Sequence, residues 1–280
     1  MAGHPIAVVT GATSGIGRYI ALGLAQARFH VVLIGRDPGR TAAAQAWILA
    51  AAPAAQTEIM LADLSSLAAT RTLARDLAAR HPAIALLVAN AGVFQSRRQL
   101  TAEGHDTTLA VNHLSPFVLI EGLRHALAAG APARIVVVGS STSDTARIDP
   151  DNLQLTHGWG MVRAYSQSKL AVMITTFGWA RRLAGTGVVA NVVHPGTVAT
   201  SLVRTRGVIG LAWRLMAPFV RTEQQGAETP LHVALAPGWA TRTGQYAKDR
   251  RAVAPNPRAL DPGLADRVWQ ATRALVDGSI

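Results

Sequence analysis

The chain has 280 residues, 49% of them apolar, and carries 27 Lys+Arg against 16 Asp+Glu for a formal charge of +11. That apolar share excludes a disordered chain, and the length suffices for one large α/β domain whose core needs no covalent staples. With no cysteine, disulfides, thiolate nucleophiles, cysteine zinc sites and iron–sulfur clusters are all excluded.

In chain order, a β-branched run at 6–10 precedes a helical pattern at 15–27, and a run at 31–34 precedes one at 38–52. The same alternation continues with strands at 57–61, 84–89, 134–139 and 188–193 and helices at 66–80, 105–129, 163–184, 224–235 and 262–276. Strand followed by helix this many times predicts a Rossmann-like doubly wound parallel sheet, with right-handed crossovers and a ligand crevice at the carboxyl ends of the strands. No repeat or linker divides the chain, so residues 1–280 are read as a single domain. Segment 200–222 lacks strand character and reads as a small helical lid within it.

The apolar run 207–220 is interrupted by Arg214 and falls short of a bilayer span. Residues 1–5 leave no room for a secretory leader, so a mature soluble chain in the cytoplasm is expected. Basic side chains are dispersed, and the densest run, 248–258, has only Tyr246 beside it. That is unlike the aromatic and basic platforms that hold single strands, and no nucleic-acid partner is expected. None of the nine histidines forms a ligand cluster, so all nine read as structural or surface groups and no metal is expected.

Three motifs carry chemistry. Gly11, Gly15 and Gly17, with Thr13, Ser14 and Ile16 between them, follow the first strand and open a helix. There the glycines allow a sharp turn and close backbone approach, and the helix N-terminus offers free N–H groups to a pyrophosphate. At the end of the second strand, position 35 is glycine where an acid would accept from a ribose 2′-hydroxyl, and Arg36 follows. A guanidinium suits a 2′-phosphate, which predicts NADP(H) over NAD(H). Tyr165 and Lys169 stand one helical turn apart in a chain with three tyrosines and two lysines. A phenol near its free pKa is a poor base, whereas an adjacent ammonium favours phenolate and suits the pair to proton transfer in carbonyl reduction. Ser140, at the end of the fifth strand, is placed to hold the carbonyl oxygen, with Ser141 as its substitute.

The Gly-xxx-Gly-x-Gly spacing, the Tyr-xxx-Lys pair and the strand-end serine resemble the short-chain dehydrogenase/reductase family, in matching order over some 240 residues from Ile6 to about Tyr246. The phrases around Asn112, Tyr165, His194 and Gln225 are similar to its retinol dehydrogenase and protochlorophyllide reductase branch. The resemblance implies that Asp63 and Leu64 meet the adenine, and that Asn90, Ala91 and Gly92 lie against the cofactor, with Ala89 in place of a usual asparagine. It implies that Lys169 bonds the nicotinamide ribose, that Asn112 holds a water beside the lysine, and that Pro195, Gly196, Val198 and Thr200 receive the carboxamide. The implied activity is hydride transfer between NADP(H) and an alcohol or carbonyl group. In the reducing direction Tyr165 gives the proton and Ser140 orients the oxygen.

Within that branch substrates are bulky and apolar, but the light-driven enzymes depend on a pocket cysteine that this chain lacks, so neither named substrate is carried over. An apolar pocket is expected under Leu202–Val220, lined from Ile209, Leu211, Trp213, Leu215, Met216 and Phe219 and from Trp159 and Met161; the same segment is the alternative site of peripheral membrane contact. A homodimer or homotetramer is a further expectation. Alternative readings are physiological oxidation of a secondary alcohol and a non-catalytic NADP(H)-binding regulator.

Overall fold

The computed structural model describes residues 3–198 and 221–278; Thr200 and the expected lid residues 202–220 lie outside them. The elements run β1 (Ile6–Thr10), α1 (Gly15–Gln26), β2 (His30–Gly35), α2 (Pro38–Ala51), β3 (Gln56–Leu61), α3 (Leu67–Arg80), β4 (Leu86–Ala89), α4 (Thr107–Leu109) and α5 (Ser115–Ala129). They continue with β5 (Ala133–Val138), α6 (Met161–Arg182), β6 (Val188–His194), α7 (Glu223–Leu235), β7 (Tyr246–Lys248), β8 (Arg251–Val253) and α8 (Pro262–Asp277). The strands form one eight-stranded sheet in the order β3-β2-β1-β4-β5-β6-β7-β8. Every neighbouring pair is parallel except the β7–β8 hairpin. Strand order reverses between β1 and β4, which opens the crevice where α/β sheets bind ligands.

Strand periodicity builds two core layers. Along β1 and β2, Ala7, Val9, Val31 and Leu33 bury with Ile20 and Leu24 of α1, while Val8, Val32 and Ile34 bury on the opposite face with Leu77 and Leu123. The second layer contains a tight aromatic triangle. Ring centroids are 5.3 Å apart for Phe117 and Trp179, 4.8 Å for Phe117 and Trp269, and 5.0 Å for Trp179 and Trp269. It joins α5, α6 and α8 behind the sheet.

Two local features depart from the expected elements. The single helix expected at 105–129 is broken, with Ala110–Leu114 wound as a π-helix between α4 and α5. The β7–β8 hairpin was not expected at all; its turn residues Asp249 and Arg250 have φ of 51° and 63°, the signature of a type I′ turn built without glycine. Among the described residues no helix is long and apolar enough to cross a membrane.

Candidate active site

A cleft of about 880 Å³ runs along the carboxyl ends of β1, β2, β4, β5 and β6. At one end the chain turns at Gly11 (φ 64°), and a Cβ there would sit 2.9 Å from the Ala91 Cα. A Cβ on Gly17 would sit 2.2 Å from the Gly11 carbonyl oxygen, so helix and loop close against each other only without side chains. The Thr10 hydroxyl accepts the N–H groups of Asn90 and Ala91 at 3.0 Å each, and the Asn90 amide donates to the Thr10 and Gly11 carbonyls at 3.0 and 3.3 Å. These bonds fasten the glycine loop to the end of β4. Helices α2, α3, α7 and α8 have side-chain N-caps, but Ser14 makes no such bond and leaves the first N–H groups of α1 uncapped at the cleft.

At the end of β2 there is no space for an acidic side chain on position 35: a Cβ on Gly35 would lie 2.2 Å from Thr41 Oγ1 and 2.5 Å from Thr13 Cγ2. The Arg36 guanidinium is 75% exposed and 3.9 Å from Asp63, a loose surface pair worth little. Asp63 is otherwise held by Ser65, which donates its N–H and hydroxyl at 3.0 and 2.8 Å. Arg40, which sequence reasoning did not single out, also lines the cleft and reaches the Ser14 hydroxyl at 3.4 Å. Its place one turn into α2, over the glycine loop, could be found only once β2 and α2 were folded together.

The other end of the cleft holds Lys169, Tyr165 and Ser140. Lys169 is buried, and its Nζ donates to the Val138 carbonyl at 2.8 Å, the last residue of β5. Burial pulls its pKa down from 10.5 to about 8. The ammonium lies 5.9 Å from the centroid of the Tyr165 ring. Burial pushes the Tyr165 phenol above its ordinary pKa, opposed by the neighbouring Ser140 hydroxyl. The Ser140 hydroxyl is thus a second group, beside the Lys169 ammonium expected from the sequence, that faces the phenol. The ring of Phe94 packs edge-to-face on Tyr165 with centroids 4.9 Å apart.

Ser140 begins a short turn in which its Oγ accepts from Thr142 N and Oγ1 at 3.3 and 3.1 Å. Ser141 uses its N–H on His194 instead, at 3.1 Å. Of the two serines, Ser140 is the one whose hydroxyl acts on the phenol. After β6 the chain carries Pro195, Gly196 (φ 91°) and Val198 along the cleft wall.

The cleft thus brings together Gly11, Thr13, Ser14, Gly15, Ile16, Gly17, Arg36, Asp63, Leu64, Asn90, Ala91, Gly92, Ser140, Tyr165, Lys169, Pro195, Gly196 and Val198. Asn112 is the exception among the described residues. It sits in the π-helix, buried behind the wall, where its amide donates to the Val93 carbonyl and to Ser168 Oγ at 3.0 Å each and accepts from Val93 N at 2.8 Å. Those three bonds let Asn112 brace the β4 loop against α6, and its Oδ1, which accepts one of them, stands beside Gly92 together with Lys169 Nζ. Trp159 is likewise not in the lining; its indole N–H donates to Asp106 at 3.0 Å, and Met161 and Val162 line that stretch. Among the described residues no group of His, Asp or Glu side chains is arranged to hold a metal.

The geometry fits a pyridine dinucleotide: a side-chain-free cradle and uncapped helix at one end, two guanidiniums beside it, and a buried lysine and phenol at the other. Residues 5–207 match the short chain dehydrogenase family. Human retinol dehydrogenase 12 is 36% identical over 271 residues, covering 97% of this chain and 86% of its own. A Streptomyces sp. (strain C5) protein assigned as daunorubicin C-13 ketoreductase DnrU is 37% identical over 270 residues, covering 96% and 91%. Among solved structures, a short chain dehydrogenase from Burkholderia cenocepacia J2315 in complex with NADP aligns with a TM-score of 0.70 at 28% identity, over 87% of this chain and 95% of that one.

Proposed function

The chain belongs to the short-chain dehydrogenase family, and on that premise we propose that this oxidoreductase uses NADP(H) to reduce a carbonyl group on an apolar substrate. The observation that carries the reading is the meeting of Tyr165, Lys169 and Ser140 in the same cleft as the glycine cradle. Gly11, Gly15 and Gly17 with the N-terminus of α1 would hold the pyrophosphate, and Lys169 and the turn at Gly196 the nicotinamide end. When bound, the nicotinamide supplies the hydride. Ser140 orients the carbonyl oxygen, and Tyr165 delivers a proton from its phenolic hydroxyl to that oxygen as negative charge develops.

The cofactor preference follows from the electrostatics. A protonated phenol is the form that gives a proton in the reducing direction, and the same site would serve alcohol oxidation with the phenol ionised. Arg36 and Arg40, together with the closed space at Gly35, support a 2′-phosphate over a free 2′-hydroxyl. Phe94, Met161 and Val162 give the reactive end an apolar wall. The test is Tyr165→Phe, which removes one oxygen from a packed ring. Turnover of a panel of aliphatic, steroidal, aromatic and quinone carbonyls with NADPH, followed at 340 nm, should fall by about 10³-fold or more while NADPH affinity changes by less than about threefold. Substantial remaining turnover refutes the assignment.

A further inference from the structure

The last backbone bond between β5 and β6 runs from Gly139 N to the Val193 carbonyl at 2.8 Å. One residue further on, past the end of β5, the pairing continues through a side chain. His194 Nδ1 accepts the N–H of Ser141 at 3.1 Å. This imidazole is 5% exposed and lines the cleft between the Ser140 turn and Gly196. A nitrogen that accepts carries no proton, so the ring proton resides on Nε2, which has no partner among the described residues. Burial, with Lys248 and Arg221 adding to it against Asp144 and Asp249, pulls the ring down to about 4, and it stays neutral wherever the protein is folded near neutrality.

We propose that His194 is a positioning residue for the reduction, a neutral side-chain rung that fixes the Ser140 turn to the end of β6. The far end of the turn is held separately, by Tyr246 of β7, which donates to Asp144 at 2.9 Å, and by Asn256, which donates to the Ser143 carbonyl at 2.8 Å; at the Ser140–Ser141 end the tie to β6 beyond Gly139 is His194. The turn's internal bonds, from Ser143 N and Oγ to the Ser140 carbonyl at 3.0 and 2.6 Å, shape the turn but do not tie it to the sheet. Ser140 acts on the Tyr165 phenol, and Pro195 and Gly196 directly follow His194. One imidazole therefore sets the carbonyl-holding serine and the nicotinamide-side turn relative to each other. Displacing that serine by about an ångström is the kind of error that lowers a rate by about 10²-fold without weakening cofactor binding.

This inference rests on the oxidoreductase reading above, and the test separates the two. An Asn side chain can place an acceptor oxygen where Nδ1 stands, whereas Gln reaches toward the Nε2 position and Ala offers nothing. Steady-state kinetics with NADPH and 4-nitrobenzaldehyde should show kcat down about 10- to 100-fold in His194→Ala and His194→Gln, within about threefold of wild type in His194→Asn, and KM for NADPH within about threefold throughout. In the reverse reaction with the corresponding alcohol, the pH of half-maximal rate should move upward in His194→Ala and His194→Gln, as in Ser140→Ala, because the phenol loses the hydroxyl that opposes its rise. Histidine ¹⁵N NMR of the wild-type protein, which needs no variant to fold, should show an unprotonated Nδ1 at pH 7. A protonated Nδ1, an Ala variant within twofold of wild type, or Gln restoring turnover as well as Asn would each overturn the proposal. If the wild type turns over none of the carbonyl panel, the functional reading fails, and the positioning role fails with it even when the tautomer is as described.

Discussion

Lys169 offers a prediction in which stability and function pull apart. The residue is 4% exposed, and its ammonium, among the described residues, hydrogen-bonds to the Val138 carbonyl alone. Lowering its pKa from 10.5 to about 8 makes the charged form roughly 3 kcal/mol less favourable in the folded protein than in the unfolded chain. Between those two values the unfolded chain holds a proton that the folded protein has released, so stability rises with pH across the window and the penalty is largest below pH 8. In Lys169→Met the apolar stem stays and the titration disappears. The stability of wild type minus that of the variant should therefore increase by about 2.5 kcal/mol between pH 7 and pH 10, because most other groups cancel in the difference. Losing the bond to Val138 leaves a buried carbonyl unpaired at a cost of about 1–3 kcal/mol, which offsets the whole curve without altering its slope. At pH 7 the variant should thus be as stable as wild type or up to about 2 kcal/mol more stable, while carbonyl reduction is lost. Urea unfolding at several pH values measures both quantities. A difference independent of pH, or a variant that loses more than about 2 kcal/mol at pH 7, would refute the account of Lys169 as a strained buried cation.

Two further outcomes test the ends of the molecule. Arg36→Ala should raise KM for NADPH by about 10- to 100-fold and that for NADH by less than about threefold, and adding Arg40→Ala should widen the gap, since each guanidinium is worth about 1.5–3 kcal/mol on a phosphate; equal effects on both cofactors would remove the 2′-phosphate role. Trp269→Ala should cost about 3–5 kcal/mol in urea unfolding, because it empties one corner of the Phe117–Trp179–Trp269 triangle and removes the ring beneath the Arg182 guanidinium at 3.6 Å.

The sequence carried the frame of this site because its signals are local. Gly11, Gly15 and Gly17 announce a turn wherever they fall after a strand, and the Tyr165–Lys169 pair is set by helical spacing alone. The partners of those groups were not legible, because they are backbone atoms or residues distant in the chain. Lys169 is bound by a carbonyl 31 positions away, and Thr10 by the N–H groups of Asn90 and Ala91, 80 and 81 positions away. The β7–β8 hairpin escaped because each strand has three residues and its turn lacks the Asn-Gly or Asp-Gly pair that marks such turns. The π-helix at Ala110–Leu114 leaves no trace in hydrophobic period, since one extra residue in a buried turn keeps every side chain buried. His194 was read as structural because an isolated histidine gives no sign of which nitrogen is engaged.

The distant partners share a geometry that accounts for where the chemistry sits. Each reactive side chain comes from a helix or turn, and each is tied to the carboxyl end of a strand: Lys169 to Val138 at the end of β5, the Ser140 turn to His194 at the end of β6, and the face of α6 through Ser168 and Asn112 to the loop after β4. Parallel pairing fixes the relative height of those three strand ends, with Val88 opposite Val136 and Val138 opposite Val193. Sheet register therefore sets the spacing of phenol, ammonium and serine, in place of the loops that separate them in sequence. It follows that the long segment between β5 and α6 can vary in length without moving the reactive groups, provided the ties to the strand ends are kept.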